Sequence, residues 1–134
     1  MSLDPITAQL NRLIEGLCFP SETDMPWQVV VWPATSGAEI TDAALRRYLA
    51  QPDDAPIGRS SLGDFAAQVN RRCRGYGAAG EASAQQHQQL FQYLEAQLSA
   101  VRVLRVGQVT VEVLVLGCTE IGEMVGVRTQ SVET

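Results

Sequence analysis

His87 is the only histidine in the chain. As a general base it would need a nucleophile and an orienting carboxylate within hydrogen-bond reach. It falls on the apolar stripe of a helix, so the expectation is a hydrogen-bonded histidine at the edge of the core. Glu112 and the pair Glu120 and Glu123 supply the carboxylates that acid–base chemistry would use. Glu112 lies mid-strand and the other two in a glycine-bounded turn, and all three read as solvated surface acids. Every one of the ten cations is arginine, which removes a lysine phosphate loop and Schiff-base chemistry. Gly117 to Gly126 has no phosphate-loop spacing. Cys18, Cys73 and Cys118 have neither disulfide-framework nor zinc-site spacing. They read as free thiols, Cys18 and Cys118 in the core, in a reducing, cytoplasmic compartment. No enzyme emerges from these residues.

Two groups remain. Arg71, Arg72 and Arg74, with Tyr76 beside them, form the basic cluster of the chain. On a protein of net charge −5 that is a weak basis for nucleic-acid contact. The net charge instead favours a basic protein partner. The other group is the carboxyl terminus. Thr134 offers a hydroxyl and an α-carboxylate, with Glu133 next to it. These are hard oxygen donors of the kind Mg²⁺ prefers. One residue cannot cage a metal, but it can complete the coordination of a metal that another protein holds.

The elements that must position these groups follow from periodicity. Asp4-Pro5 reads as N-cap and N1 of a helix whose stripe is Ile6, Leu10, Leu13, Ile14 and Leu17, ending near Cys18. Phe19 to Pro26 reads as a loop between prolines, and Trp27 to Trp32 as a buried strand. Pro33 to Glu39 is a turn; Thr41 caps a helix over 42–50. Residues 51–59 read as loop, and Ser61 caps a helix carrying Leu62, Phe65, Ala66 and Val69. The glycine-rich stretch 71–80 is expected to be irregular. A long helix over 82–99 follows, with Ala84, His87, Phe91, Leu94 and Leu98 on one stripe. Strands over 101–106 and 109–116 flank Gly107-Gln108, which predicts a two-residue type II′ hairpin. Met124 to Glu133 is the last strand. A sheet apolar on both faces needs cover on both. The expected fold is one domain over 1–134, a three-layer α/β/α sandwich around a largely antiparallel sheet of about four strands. No apolar run is long enough for a membrane span, and no basic stretch followed by an apolar one opens the chain, so neither membrane association nor a signal peptide is expected.

At the loop before the first strand and at the final tripeptide, the sequence resembles the bacterial inhibitors of the sugar-non-specific nuclease A. Two blocks carry the resemblance, Gly16 to Trp32 and Leu104 to Thr134, together a little over a third of the chain. The helix stripes between them fit the same order of elements.

The resemblance implies a protein inhibitor, not an enzyme. Its target would be a Mg²⁺-dependent nuclease of the ββα-metal type. The family's terminal threonine, here Thr134, reaches the catalytic metal of the nuclease through oxygen. The glutamate of the Ser-Glu pair, here Glu22, enters the same site and imitates the charge of the scissile phosphate. Asp24 in that loop and Glu133 beside Thr134 are expected to join the contact. No cofactor of its own is implied, only Mg²⁺ in the complex. If the last strand runs antiparallel to the first, its end falls beside the Phe19–Pro26 loop, and Glu22 and Thr134 share one sheet edge. The family's second contact, an Asp-Trp pair before the long helix, is replaced here by Cys73-Arg74, with Tyr76 the nearest aromatic. Arg74 and Tyr76 are therefore expected to meet the partner and redirect specificity. The alternative is an interaction module of the same fold that no longer binds a nuclease.

Overall fold

The strand over 109–116 sets the architecture, because its side chains alternate between two apolar sets. In a computed structural model that describes residues 4–19, 25–32, 41–75, 77–120 and 123–132, every residue from Val111 to Gly117 is buried. The elements are α1 (Asp4–Leu13), β1 (Cys18–Phe19), β2 (Met25–Pro26), β3 (Gln28–Trp32), α2 (Asp42–Tyr48), β4 (Ile57–Ser61), α3 (Leu62–Arg74), α4 (Gly77–Gln97), β5 (Ser99–Val106), β6 (Thr110–Cys118) and β7 (Met124–Val132). Five strands form an antiparallel sheet in the order β3-β7-β6-β5-β4, with β6 central, and β1 and β2 form a separate two-stranded sheet.

Both faces of the larger sheet are covered. On one face Val103, Val111, Val113, Val115, Val125 and Val127 pack with α1 (Ile6, Leu10), α3 (Phe65, Val69) and α4 (Leu90, Phe91, Leu94). On the other, Leu104, Val106, Leu114, Leu116, Met124, Val30 and Trp32 pack with Leu45 of α2 and with Leu49. Burying each such side chain contributes about 1.5–3 kcal/mol, so the two clusters hold the sheet flanks together. The expected stripe is buried, with Ala84, His87, Phe91 and Leu94 on α4 and Leu98 just past its end at Gln97.

Several boundaries differ from expectation. β4 occupies a stretch expected to be loop and extends the sheet to five strands; its Gly-Arg-Ser centre carries no apolar alternation, and pairing with β5 imposes the extended form. The loop expected over 19–26 is partly strand, since Cys18 and Phe19 pair with Pro26 and Met25. The stretch 71–80 is mostly helical: α3 runs to Arg74, Gly75 caps it, and α4 already begins at Gly77. A helical glycine costs about 1 kcal/mol, which the packing of the long helix offsets. The hairpin turn is wider than two residues: Val106 pairs with Glu112, while Thr110 and Val111 pair with β7. Gly107 does adopt a positive φ of 118° there, and its N–H is held by the Pro56 carbonyl at 3.0 Å. Among the thiols, Cys18 is exposed and Cys118 half-buried, while Cys73 is buried; the short β1 turns Cys18 outward after α1 has ended. The turn expected over 33–39 lies outside the described residues.

Candidate functional site

The five residues of β3 pair with the first half of β7, and the last of these pairs joins Gln28 to Arg128. Beyond Arg128, β7 continues to Val132 alongside β6, where Thr110 faces Val132. Ahead of β3, the two residues of β2, Met25 and Pro26, lie against β7. There the Thr129 hydroxyl lies 2.9 Å from the Pro26 carbonyl and 3.2 Å from that of Met25, and donates to this pair. Phe19 pairs with Met25, so the described residues on either side of 20–24 lie against one another. The last described residue of the chain, Val132, follows Thr129 by three positions on the same strand. The antiparallel register expected between the first and last strands is therefore present.

An aromatic cluster supports this edge. The Phe19 ring stacks on Phe65 at 5.8 Å and meets Trp27 edge-on at 5.8 Å. Trp27 Nε1 donates to His87 Nε2 at 3.0 Å, and the Nδ1 proton of His87 is taken by the Ser83 carbonyl at 2.9 Å. This assigns the Nδ1-protonated tautomer, because Nε2 must offer its lone pair. His87 is 1% exposed, well inside the core and not at its edge as expected. Burial holds its pKa below the usual 6.5, against a smaller opposite effect of the Ser83 carbonyl. It has no free nitrogen with which to act as a base.

Glu112 also departs from expectation. It is 3% exposed, not a surface acid. Its Oε1 accepts from Arg128 Nη2 and its Oε2 from Gln130 Nε2, both at 2.6 Å. A buried carboxylate is tolerated when paired and bonded in this way. Its strand position identified the residue but not its depth, because cover comes from neighbouring β5 and β7. Glu120 is exposed and Glu123 half-buried; the Glu123 N–H is held by the Thr119 hydroxyl at 3.1 Å, which closes the turn.

Of the residues expected to meet a partner, Arg74 is described. It is exposed at the end of α3, bonded to Asn70 at 3.2 Å and ion-paired with Glu81 at 2.7 Å. It lines a groove of about 390 Å³ between α3 and α4. Glu22, Asp24, Tyr76, Glu133 and Thr134 lie outside the described residues. What the structure brings together is their described flanks, Phe19 with Met25 and Met25 with Thr129. Arg72 adds a link from α3, its guanidinium lying 5.9 Å from the centre of the Phe19 ring. Sequence reasoning missed Thr129 and Glu112 as edge-forming residues. For Glu112 the available clue was a carboxylate between the valines of β6; Thr129 lies in the polar run Arg128 to Ser131 and had no such signal.

Among the described residues no three His, Cys, Asp or Glu side chains gather as a metal site would require. No described helix is long and apolar enough to cross a membrane. No curated protein matches the chain. A family model described as nuclease A inhibitor-like protein matches residues 4–134, nearly the whole sequence. The chain belongs to the nuclease A inhibitor-like family, a family of inhibitors with nuclease partners.

Proposed function

We propose that this protein inhibits a Mg²⁺-dependent, sugar-non-specific endonuclease of the ββα-metal type by inserting Thr134 and Glu22 into its active site, and that it performs no catalysis itself. The observation that carries this reading is the Thr129 hydroxyl bond to β2, at Met25 and Pro26. It ties the strand that leads to Thr134 to the segment that follows Glu22. The donor set fits the metal: an α-carboxylate, a hydroxyl and a glutamate are hard oxygens. The nuclease's Mg²⁺ would polarise a phosphate oxygen in the uninhibited enzyme. Thr134 takes a place on that ion, and Glu22 supplies negative charge where a phosphate would lie. Asp24 and Glu133 extend the same acidic surface toward a cationic cleft. The site of action proposed is the cytoplasm, consistent with the free thiols.

The test is to titrate the protein into a ββα-metal nuclease assay containing Mg²⁺. Stoichiometric inhibition is expected. Removing Thr134 retracts the terminal carboxylate by about 3.5 Å, against a Mg–O bond of ~2.1 Å. The truncated chain should therefore inhibit roughly 100-fold less well. Equal inhibition by the truncated and full chains would rule out the plug.

A second reading is an interaction module with an acidic partner. The arginines at the end of α3 favour it, since Arg72 brings that basic end to Phe19. Binding to an acidic protein that survives loss of Thr134 but not Arg71→Glu would support this reading over the first.

A further inference from the structure

Among the described residues, the pairing of β7 with β3 runs as far as Arg128. From Thr129 to Val132 its described strand pairing is with β6 alone. Glu112 sits across that point. One carboxylate oxygen takes Arg128, the last residue of β7 paired with β3, and the other takes Gln130, the second residue beyond it. Glu112 and Gln130 are also direct cross-strand partners.

The face on which this occurs makes the choice of residue informative. Glu112 shares its side of β6 with Leu114 and Leu116, both fully buried and apolar. Its neighbour on β5, Val106, is fully buried as well. Apolar residues at 112 and 128 together would suit that environment, since replacing a whole buried ion pair by apolar groups is often neutral or stabilising. Stability therefore does not explain the carboxylate. What a carboxylate adds is direction: two charge-assisted or short bonds with fixed geometry to alternate residues of one strand.

We propose that Glu112 is a positioning residue of the inhibitor, a clamp that fixes the last turnless stretch of β7 and with it the base from which Glu133 and Thr134 follow. This rests on the plug reading above. Glu112 acts through Arg128 and Gln130 and touches no part of the nuclease. Holding a terminus in its bound position before encounter lowers the ordering cost of binding, which appears mainly in a slower dissociation.

The test separates stability from inhibition. Glu112→Leu keeps the apolar character of the face and leaves Arg128, whose side chain is 26% exposed, able to reach solvent. It is expected to unfold at a temperature close to that of the wild type. Its inhibition of the ββα-metal nuclease is expected to weaken roughly tenfold or more, through faster dissociation. Amide exchange at Gln130 to Val132 should quicken relative to Val125 to Val127. Glu112→Gln, which keeps shape and loses charge, provides a second variant should the leucine protein fail to fold, and should fall between the two. Inhibition within twofold of wild type by a folded Glu112→Leu protein overturns the proposal, as does weakening that merely tracks lost stability in both variants. Amide exchange is read on the free protein. Unchanged exchange at Gln130 to Val132 therefore refutes the clamp even if the wild type fails to inhibit, an outcome that would by itself refute only the plug.

Discussion

His87 illustrates how a residue with chemical potential becomes structural. Its two nitrogens are committed to Trp27 and to the Ser83 carbonyl, and its ring lies among Trp27 and Phe91. Protonation would place a second N–H against the Trp27 N–H, so the folded protein resists it, and burial adds to the resistance. The sign of the pH effect follows. The folded pKa lies below 6.5 while the unfolded chain titrates near the ordinary value. Below that value the unfolded chain gains a proton that the folded protein refuses. His87 therefore leaves stability intact above the unfolded pKa and erodes it as the pH falls toward the folded pKa. The slope approaches about 1.4 kcal/mol per pH unit. Denaturant unfolding of wild type and His87→Gln, followed by tryptophan fluorescence between neutral and mildly acidic pH, should show the extra loss in the wild type alone. Parallel curves would show that His87 titrates alike in both states.

At the scale of elements, the closest approach in the sheet is at Gly126. A Cβ built there would lie 1.8 Å from the Val115 carbonyl oxygen and 3.0 Å from the Leu116 Cα. Both obstacles are backbone of the central strand, so no side-chain rotation relieves them. Gly126→Ala should destabilise the protein by about 3 kcal/mol, at or above the upper range of ordinary overpacking. A denaturant midpoint within error of wild type would contradict this contact. The elements also show what a sequence makes legible. The stripes of α1 and α4, the alternating valines of β6 and the run of β3 were readable because each buries a face with the period of its own structure. β4 was not, because Gly58, Arg59 and Ser60 carry no such pattern, and β5 alone decides their conformation. Gly75 and Gly77 flank the break between α3 and α4 while Gly80 lies within α4, and a composition-based reading spreads that break over ten residues. Of the candidate site, only the strands that flank it can be compared with the sequence reading. Their antiparallel register followed from strand order. Thr129 was not identified and Glu112 reads as a surface acid, since a polar residue within a strand becomes informative only once its partner is known.

Over the whole molecule, the charge distribution makes a separate prediction about approach. The net charge is −5, yet Arg71, Arg72 and Arg74 gather at the end of α3. Arg74 is neutralised by Glu81, and Arg72 lies over Phe19 beside the proposed binding edge. Arg71 is exposed on the same helical turn. Toward a basic nuclease groove the global field attracts while this local patch repels, and exposed rim charges act chiefly on the association rate. Arg71→Glu should then raise the association rate about two- to fivefold at low salt, with little change in dissociation. The gain should shrink between about 20 and 200 mM salt, as the screening length falls below roughly 10 Å. Stopped-flow mixing with the nuclease, repeated across that range, measures both effects. A slower association in Arg71→Glu would reverse the sign and mean that the surface facing α3 is acidic. That result would select a partner whose active-site cleft is basic but whose rim is not, and would make the arginine cluster an attractive contact.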